Sequence, residues 1–298
     1  MIDVGTTSVK LRVAERAADG GWRPIVDRAE VTRLGAGMHA GGRIASTAAS
    51  RTADVIASMA GQARRYGVGE IVAIGTAGLR TATNRDEVLA AIRARSGVAV
   101  EVISADEEGR LAYLAARSGL RSTHGSLVAF DTGGGSSQFT WGDGDRVTER
   151  FSVPVGSARY VEAFGLENTV PANVVADARA AIAADLERLG TWPAPDAVLG
   201  MGGAVTNITA VALELDPYDA AVVHGAALSS EELDRQIERY RSIDADGRRA
   251  IVGFQPNRAE VILAGACIVR TVMELLGARE LIVSDRGIRH GVFLDRFG

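Results

Sequence analysis

The stretch IDVGTTSVKLRV, residues 2–13, places an Asp before a turn of Gly and hydroxyl residues and a strand after it. Val9, Leu11 and Val13 alternate with polar or small residues, which is the period of a β-strand. The turn therefore joins strand to strand, whereas the Rossmann and P-loop turns join strand to helix. No Walker lysine motif is present. A hairpin tip of this composition can still aim backbone N–H groups and hydroxyls at phosphate oxygens. Gly5, Thr6, Thr7 and Ser8 are thus candidate phosphate ligands, with a plain hairpin turn as the alternative. A second stretch, AFDTGGGSSQFTW, residues 129–141, follows the same plan: Asp131, then Gly133, Gly134, Gly135 and Ser136, then alternating Phe139 and Trp141. Asp3 holds the matching place in the first stretch. Self-similarity at this scale predicts a duplicated domain.

Composition fits that plan. A chain of 298 residues is comfortable for two domains, and 47% hydrophobic with 23% charged residues is ordinary for a soluble globular protein. No apolar run is long enough to cross a bilayer, and no leader peptide is evident. The lone cysteine, Cys267, allows no internal disulfide, so a reducing, cytoplasmic setting is expected. A net charge of −4 argues against a nucleic-acid coat but leaves room for a local basic site for an anion. Lys10 is the only lysine among 33 Lys and Arg residues. Arginine suits bidentate contact with phosphate, although a GC-rich genome would produce the same bias. His39, His124, His224 and His290 show no metal-ligand spacing and read as structural or surface residues.

Between the turns, strands and helices alternate, so the class is α/β. A strand over Ile71–Ile74 precedes a helix over Arg85–Ser96, with Thr83 or Asn84 as its cap. The next strand is AVEVIS, and SADEEGRLAYLAARSG is a helix closed by Gly119. Ser104 followed by Glu107 is a capping box, as is Ser229 followed by Glu232. Pro171 opens a helix running to Gly190. The run GMGGAVTNITA reads as a strand end, a Gly turn and a helix, and a glycine-led helix N-terminus favours an anion. A long helix near Asn257–Leu276 and a strand in ELIVSD complete the set. The hinge is expected near 118–126, giving domains 1–123 and 124–298, with the last helix free to pack back on the first domain.

Six motifs, IDVGTTSVKL, GTAGLRTATN, ISADEEGRLAY, FDTGGGSSQF, GMGGAVTNITA and VSDRGIRHGVF, together resemble the exopolyphosphatase/guanosine pentaphosphate phosphohydrolase (Ppx/GppA) family. They occur in order along the whole chain. The resemblance implies an actin-like ATPase fold: two ribonuclease-H-like domains, each a mixed sheet with flanking helices, around a central cleft. The chain is similar to the short, two-domain form. It departs from the family pattern at Thr7 and His290, where Asn and Glu are usual, and in a first strand clipped by Met1.

The resemblance also implies roles. Glu108 would orient and deprotonate the attacking water, and Arg80 would hold the terminal phosphate and offset its growing charge. Gly202 and Gly203 would form a third phosphate loop. Asp131, a carboxylate at a strand end beside a phosphate loop, suits Mg²⁺ or Mn²⁺ held partly through water, with Asp3 its counterpart; an Asx turn is the alternative for Asp131. Glu107 is read as the cap residue, its carboxylate turned back to the Ser104 N–H, and Glu108 as the base. The implied substrate is inorganic polyphosphate or guanosine pentaphosphate, which ties the chain to the stringent response. No nucleic acid or membrane partner is expected, and a homodimer is left open. A sugar-kinase-like ATP phosphotransferase and a non-catalytic alarmone or polyphosphate sensor are the rival classes.

Overall fold

The computed structural model describes residues 1–298 apart from 7, 18–20, 37, 39–41, 119–124 and 145. The chain forms two compact units: Met1–Leu111 with Ile288–Gly298, and Ala112–Gly287. The junction expected at 123/124, and the Gly119 expected to close a helix, lie outside the described residues.

The first unit runs β1 (Ile2–Val4), β2 (Ser8–Arg16), β3 (Trp22–Val31), α1 (Ser46–Arg65), β4 (Ala73–Gly75), α2 (Ala77–Thr81), α3 (Arg85–Ser96), β5 (Glu101–Val102) and the start of α4 (Ala105–Arg117). Its sheet has the order β3-β2-β1-β4-β5. The three leading strands are antiparallel, and β4 and β5 then add in parallel. Ile2, Val4, Val9 and Leu11 are sealed against α1 and α3, whose inward faces carry Ile56, Met59, Ala60, Val88 and Ile92. Helix α3 ends on Gly97 at φ 68°, a left-handed cap that a Cβ would disfavour. Its expected side-chain cap is absent. Asn84 instead accepts from the Ile44 N–H (2.9 Å) and donates to the Ile44 carbonyl (3.0 Å), tying the α3 start to the segment before α1.

The second unit repeats the plan. It holds β6 (Ser126–Thr132), β7 (Ser137–Asp143), β8 (Arg146–Val153), α5 (Ser157–Phe164), α6 (Ala172–Asp185), β9 (Ala197–Met201), α7 (Gly202–Ala212), α8 (Ala220–Val223), β10 (Ala227–Ser229), α9 (Ser230–Arg241), α10 (Ala245–Arg249), α11 (Ile262–Leu275) and β11 (Glu280–Val283). The sheet order is β10-β11-β9-β6-β7-β8, with β6-β7-β8 antiparallel and β9 and β11 parallel to β6. Helix α11 is apolar on nearly all sides, the pattern of a central core helix, and it buries Cys267. The single helices read over 171–190 and 257–276 each contain a 3-10 turn instead, at Glu187–Thr191 and Pro256–Arg258. The α-helix itself begins at Ile262. Helix α12 (Ile288–Phe297) belongs to the first unit, where Phe293 and Phe297 pack on Trp22 at ring-centroid separations of 5.2 and 6.0 Å.

Candidate functional site

Each Gly-rich turn sits at the tip of an antiparallel pair, and the two turns match bond for bond. Gly5 N–H donates to the Ser8 carbonyl at 3.0 Å, and Gly133 N–H to the Ser136 carbonyl at 2.9 Å. Asp3 pairs in register with Lys10, and Asp131 with Gln138. The duplication read from the sequence therefore extends to the hydrogen bonds of the turns.

In the second unit the turn is held from behind. The Ser157 and Ala158 N–H groups, at the start of α5, donate to the carbonyls of Gly133 (3.1 Å) and Gly134 (2.9 Å). A Cβ on Gly156 would overlap the backbone of Gly134 and Gly135. With the carbonyls committed inward, the N–H groups of Gly134, Gly135 and Ser136 donate to nothing among the described residues. Consecutive free amides on an exposed turn make an anion nest. Beside it, β9 turns into α7 through Gly202 at φ 86°. A Cβ on Gly202 would overlap the Asp131 carboxylate, and one on Gly203 would overlap the Arg258 guanidinium. Helix α7 carries no side-chain cap and no acid in its first turn, so its free N–H groups and dipole favour a negative charge.

Arg258 was not picked out by the sequence. The 3-10 turn delivers it, and Gln255 Oε1 accepts from its Nε at 2.8 Å. Burial lowers its pKa, and the nearby charges of Asp131 and Tyr218 raise it. The Tyr218 hydroxyl, bonded to Asp285, is raised by burial first and then by that bond. No spacing rule links Arg258 to Gly203. The only signal was a Pro-Asn-Arg step just before an apolar helix.

In the first unit, Arg80 Nη1 donates to Glu108 Oε2 at 2.9 Å and to the Ile103 carbonyl at 3.2 Å. The two residues assigned to catalysis are thus joined, with Arg80 on α2 and Glu108 in the first turn of α4. Thr6 is wedged between Gly35 and Gly78, where a Cβ at either glycine would crowd its side chain, and its carbonyl accepts from Gly35 N–H at 2.9 Å. Asp3 is nearly sealed. Burial is the main cause of its raised pKa, the charges of Lys10 and Arg289 oppose it, and Glu108 adds to it. Thr7, His39 and His124 lie outside the described residues. His224 Nε2 meets the Ser118 carbonyl at 2.9 Å, a structural contact.

The glutamates depart in part from expectation. Ser104 Oγ accepts from the Glu107 N–H at 3.0 Å, as a cap should. The Glu107 carboxylate, however, forks onto Arg110 at 2.8 and 2.7 Å instead of turning back to Ser104. A charge-assisted bidentate pair outweighs a single bond to a backbone amide.

Among the described residues no group of three His, Cys, Asp or Glu side chains gathers to cage a metal. Mg²⁺ usually keeps several waters and binds through one or two carboxylates plus substrate phosphates. Asp131, partly exposed beside an anion nest, fits that mode. Asp3 is flanked by two cations and fits it less well. A cavity of about 730 Å³ between α1 and α3, bordered by Arg43, Ser50, Glu87 and Arg95, holds none of the candidate residues.

The model of the Ppx/GppA phosphatase family matches residues 13–298. A Mycobacterium tuberculosis protein named Exopolyphosphatase 2 is 30% identical over 314 residues, covering 100% of this chain and 98% of that one. The crystal structure of the type II variant of the Aquifex aeolicus Ppx/GppA phosphatase superposes with a TM-score of 0.90 at 30% identity, covering 99% of this chain and 97% of that one. An exopolyphosphatase from Cytophaga hutchinsonii, at 21% identity and a TM-score of 0.81, shares the fold over 99% of this chain and 96% of its own. The fold is the two-domain, actin-like ATPase type, and the chain belongs to the Ppx/GppA phosphatase family.

Proposed function

We propose that this protein is an exopolyphosphatase, which releases orthophosphate from the end of an inorganic polyphosphate chain. The observation that carries the reading is the Arg80–Glu108 pair. A carboxylate that can take a proton from water stands beside a guanidinium that can take up phosphate charge. In the reaction the water oxygen bonds to the terminal phosphorus, the bridging P–O bond breaks, and Glu108 accepts the water proton. Arg80 moves from Glu108 to the terminal phosphate as negative charge develops. Within the first unit the turn at Gly5, Thr6, Thr7 and Ser8, and within the second unit the amides of Gly134, Gly135 and Ser136, the α7 N-terminus at Gly202 and Gly203, and Arg258, each offer donors for phosphate oxygens. Mg²⁺ or Mn²⁺ bound through Asp131 would neutralise phosphate charge. The name carried by the Mycobacterium tuberculosis relative supports the same reaction class. The sealed thiol of Cys267 suits a reducing, cytoplasmic setting.

Guanosine pentaphosphate presents the same terminal anhydride, so the test is a phosphate-release panel. Long polyphosphate, tripolyphosphate, guanosine pentaphosphate and ATP are compared with and without a chelator, and at rising salt. Release should be fastest from long polyphosphate, stop in excess chelator and fall as salt screens the polyanion. Preference for guanosine pentaphosphate would move the assignment to that substrate. ATP consumption that requires a hydroxyl acceptor would make the protein a kinase. Tight binding without turnover would make it a sensor.

A further inference from the structure

The chain repeatedly pairs an arginine with a carboxylate three residues earlier: Glu107 with Arg110, Glu232 with Arg235, Glu238 with Arg241 and Asp246 with Arg249. Each of the three glutamates forks onto both Nε and Nη2 of its arginine. Arg258 breaks this pattern. Three positions before it stands Gln255, whose Oε1 accepts from Nε alone, at 2.8 Å. Arginine offers only donors, so the glutamine must present its oxygen. Nη1 and Nη2 of Arg258 donate to nothing among the described residues.

Gln255 and Arg258 meet because the chain between them is a 3-10 turn, in which side chains three apart eclipse. The turn is anchored on α7. Asn207 Nδ2 donates to the Gly253 carbonyl at 3.1 Å, and Gly253, at φ 77°, lies where a Cβ would overlap the Ala210 carbonyl. Buried Arg248 donates to the Ala259 carbonyl at 3.0 Å and fixes the other end. The same helix α7 opens at Gly202 and Gly203, and the Arg258 guanidinium lies against Gly203. These anchors set where the backbone of the turn stands. They do not fix the long, rotamer-rich side chain of Arg258, and Gln255 is the one described group that bonds it.

A glutamate in this place would also hold the guanidinium, but its second oxygen would take Nη2 and its charge would cancel that of the arginine. The amide supplies the same oxygen and leaves the charge and both terminal nitrogens for an anion. We propose that Gln255 is a positioning residue, which fixes Arg258 by Nε so that Nη1 and Nη2 meet a phosphate at the α7 N-terminus. This rests on the reading of the protein as a phosphoanhydride hydrolase.

The test compares wild type with Gln255→Glu, Gln255→Met, Arg258→Ala and the double variant Gln255→Glu with Arg258→Ala. KM and kcat are measured on long polyphosphate, Kd for tripolyphosphate by calorimetry, and stability by melting. Gln255→Glu gains an ion pair of the kind Arg235 has, so it should melt no lower than wild type, yet raise KM and Kd on the order of 10–100-fold. Gln255→Met keeps the bulk and loses the oxygen, and should raise both about 3–10-fold with a smaller change in kcat. In the Arg258→Ala background, Gln255→Glu should add less than about twofold, because its route of action is gone. Wild-type KM and Kd in a folded Gln255→Glu protein overturn the proposal. An equal rise with and without Arg258 does so too, because the added charge would then repel phosphate directly. If the Glu variant does not fold, Gln255→Met decides, and unchanged KM and Kd overturn the proposal. The expected pattern in Kd from a protein that releases no phosphate would remove the hydrolase reading and keep the positioning role.

Discussion

Asp3 is 6% exposed on a strand only three residues long, and that burial makes it both costly and informative. Removing water from its carboxyl is the largest cause of its raised pKa; Lys10 and Arg289 pull the other way, and Glu108 reinforces the rise. The sign follows by linkage. A carboxyl with a raised folded-state pKa contributes stability below its ordinary value, and this is lost as pH rises through the folded-state value. Ionising Asp3 is thus a net cost, offset in part by the charges of Lys10 and Arg289. Asp3→Asn should therefore raise the melting temperature at pH 8 by about 2–5 °C, equivalent to about 1 kcal/mol for units of this size, while turnover falls. The gain should shrink toward acid pH, where the wild-type carboxyl is also neutral. Melting curves across that range check it. A lower melting temperature for the Asn variant at pH 8 would mean that attraction to Lys10 and Arg289 outweighs burial.

Helices α4 and α9 show how far short-range patterns can be read. Ser104 and Ser229 cap them through the N–H groups of Glu107 and Glu232, as Ser-x-x-Glu predicts. In both, the Glu then forks onto an Arg three residues on, Arg110 or Arg235, and that Glu-x-x-Arg spacing was visible in the sequence. The two Gly turns were equally legible, because the alternation after each of them, at Val9, Leu11 and Val13 and at Phe139 and Trp141, fits only a strand. Arg258 was not legible: its contact with Gly203 depends on a 3-10 turn more than 50 residues away in the chain. The placement of Glu107 and Glu108 yields a paired prediction. Glu107→Ala loses a part-buried i,i+3 pair and a charge at the helix start, while Arg110 keeps Asp295. It should cost roughly 0.5–1 kcal/mol and leave turnover largely intact. Glu108→Gln should melt close to wild type and lose turnover on the order of 10²–10⁴-fold. Thermal melting and phosphate release are measured side by side. Loss of turnover in Glu107→Ala with near-normal Glu108→Gln would reverse the two roles.

At the scale of the whole chain, the first unit is assembled from both ends of the sequence. The apolar stripe of 288–297 shows that one face of a helix is buried; it does not show against what, because the partner residues lie at the other end of the chain. In the fold, Val292 and Phe293 join Met1, Ile74, Ile103 and Leu111 in one cluster, with Trp22 and Phe297 at its edge. Gly291 lets the helix backbone come against the Leu111 carbonyl, where a Cβ would overlap it. Arg110–Asp295 at 2.7 Å and Arg296–Glu101 at 3.1 Å close the rim, and Arg289 pairs with Asp27. Burying three large apolar side chains is worth about 1.5–3 kcal/mol each, so α12 contributes on the order of 5–9 kcal/mol to the first unit. That approaches the whole stability of a typical domain, about 5–15 kcal/mol. Deleting residues 288–298 should therefore unfold the first unit at room temperature. The core cluster around α11 in the second unit contains no residue of α12, so that unit should persist. Limited proteolysis followed by mass spectrometry reads both outcomes at once: segment 1–111 should be digested rapidly and a fragment near 112–287 should survive. A milder change, Gly291→Val, should push the same way by forcing α12 off the Leu111 backbone, with a lower first melting transition and a second one unchanged. If the truncated chain protects segment 1–111 as well as the full chain does, α12 is dispensable and the first unit is held by its sheet and by α1 and α3 alone.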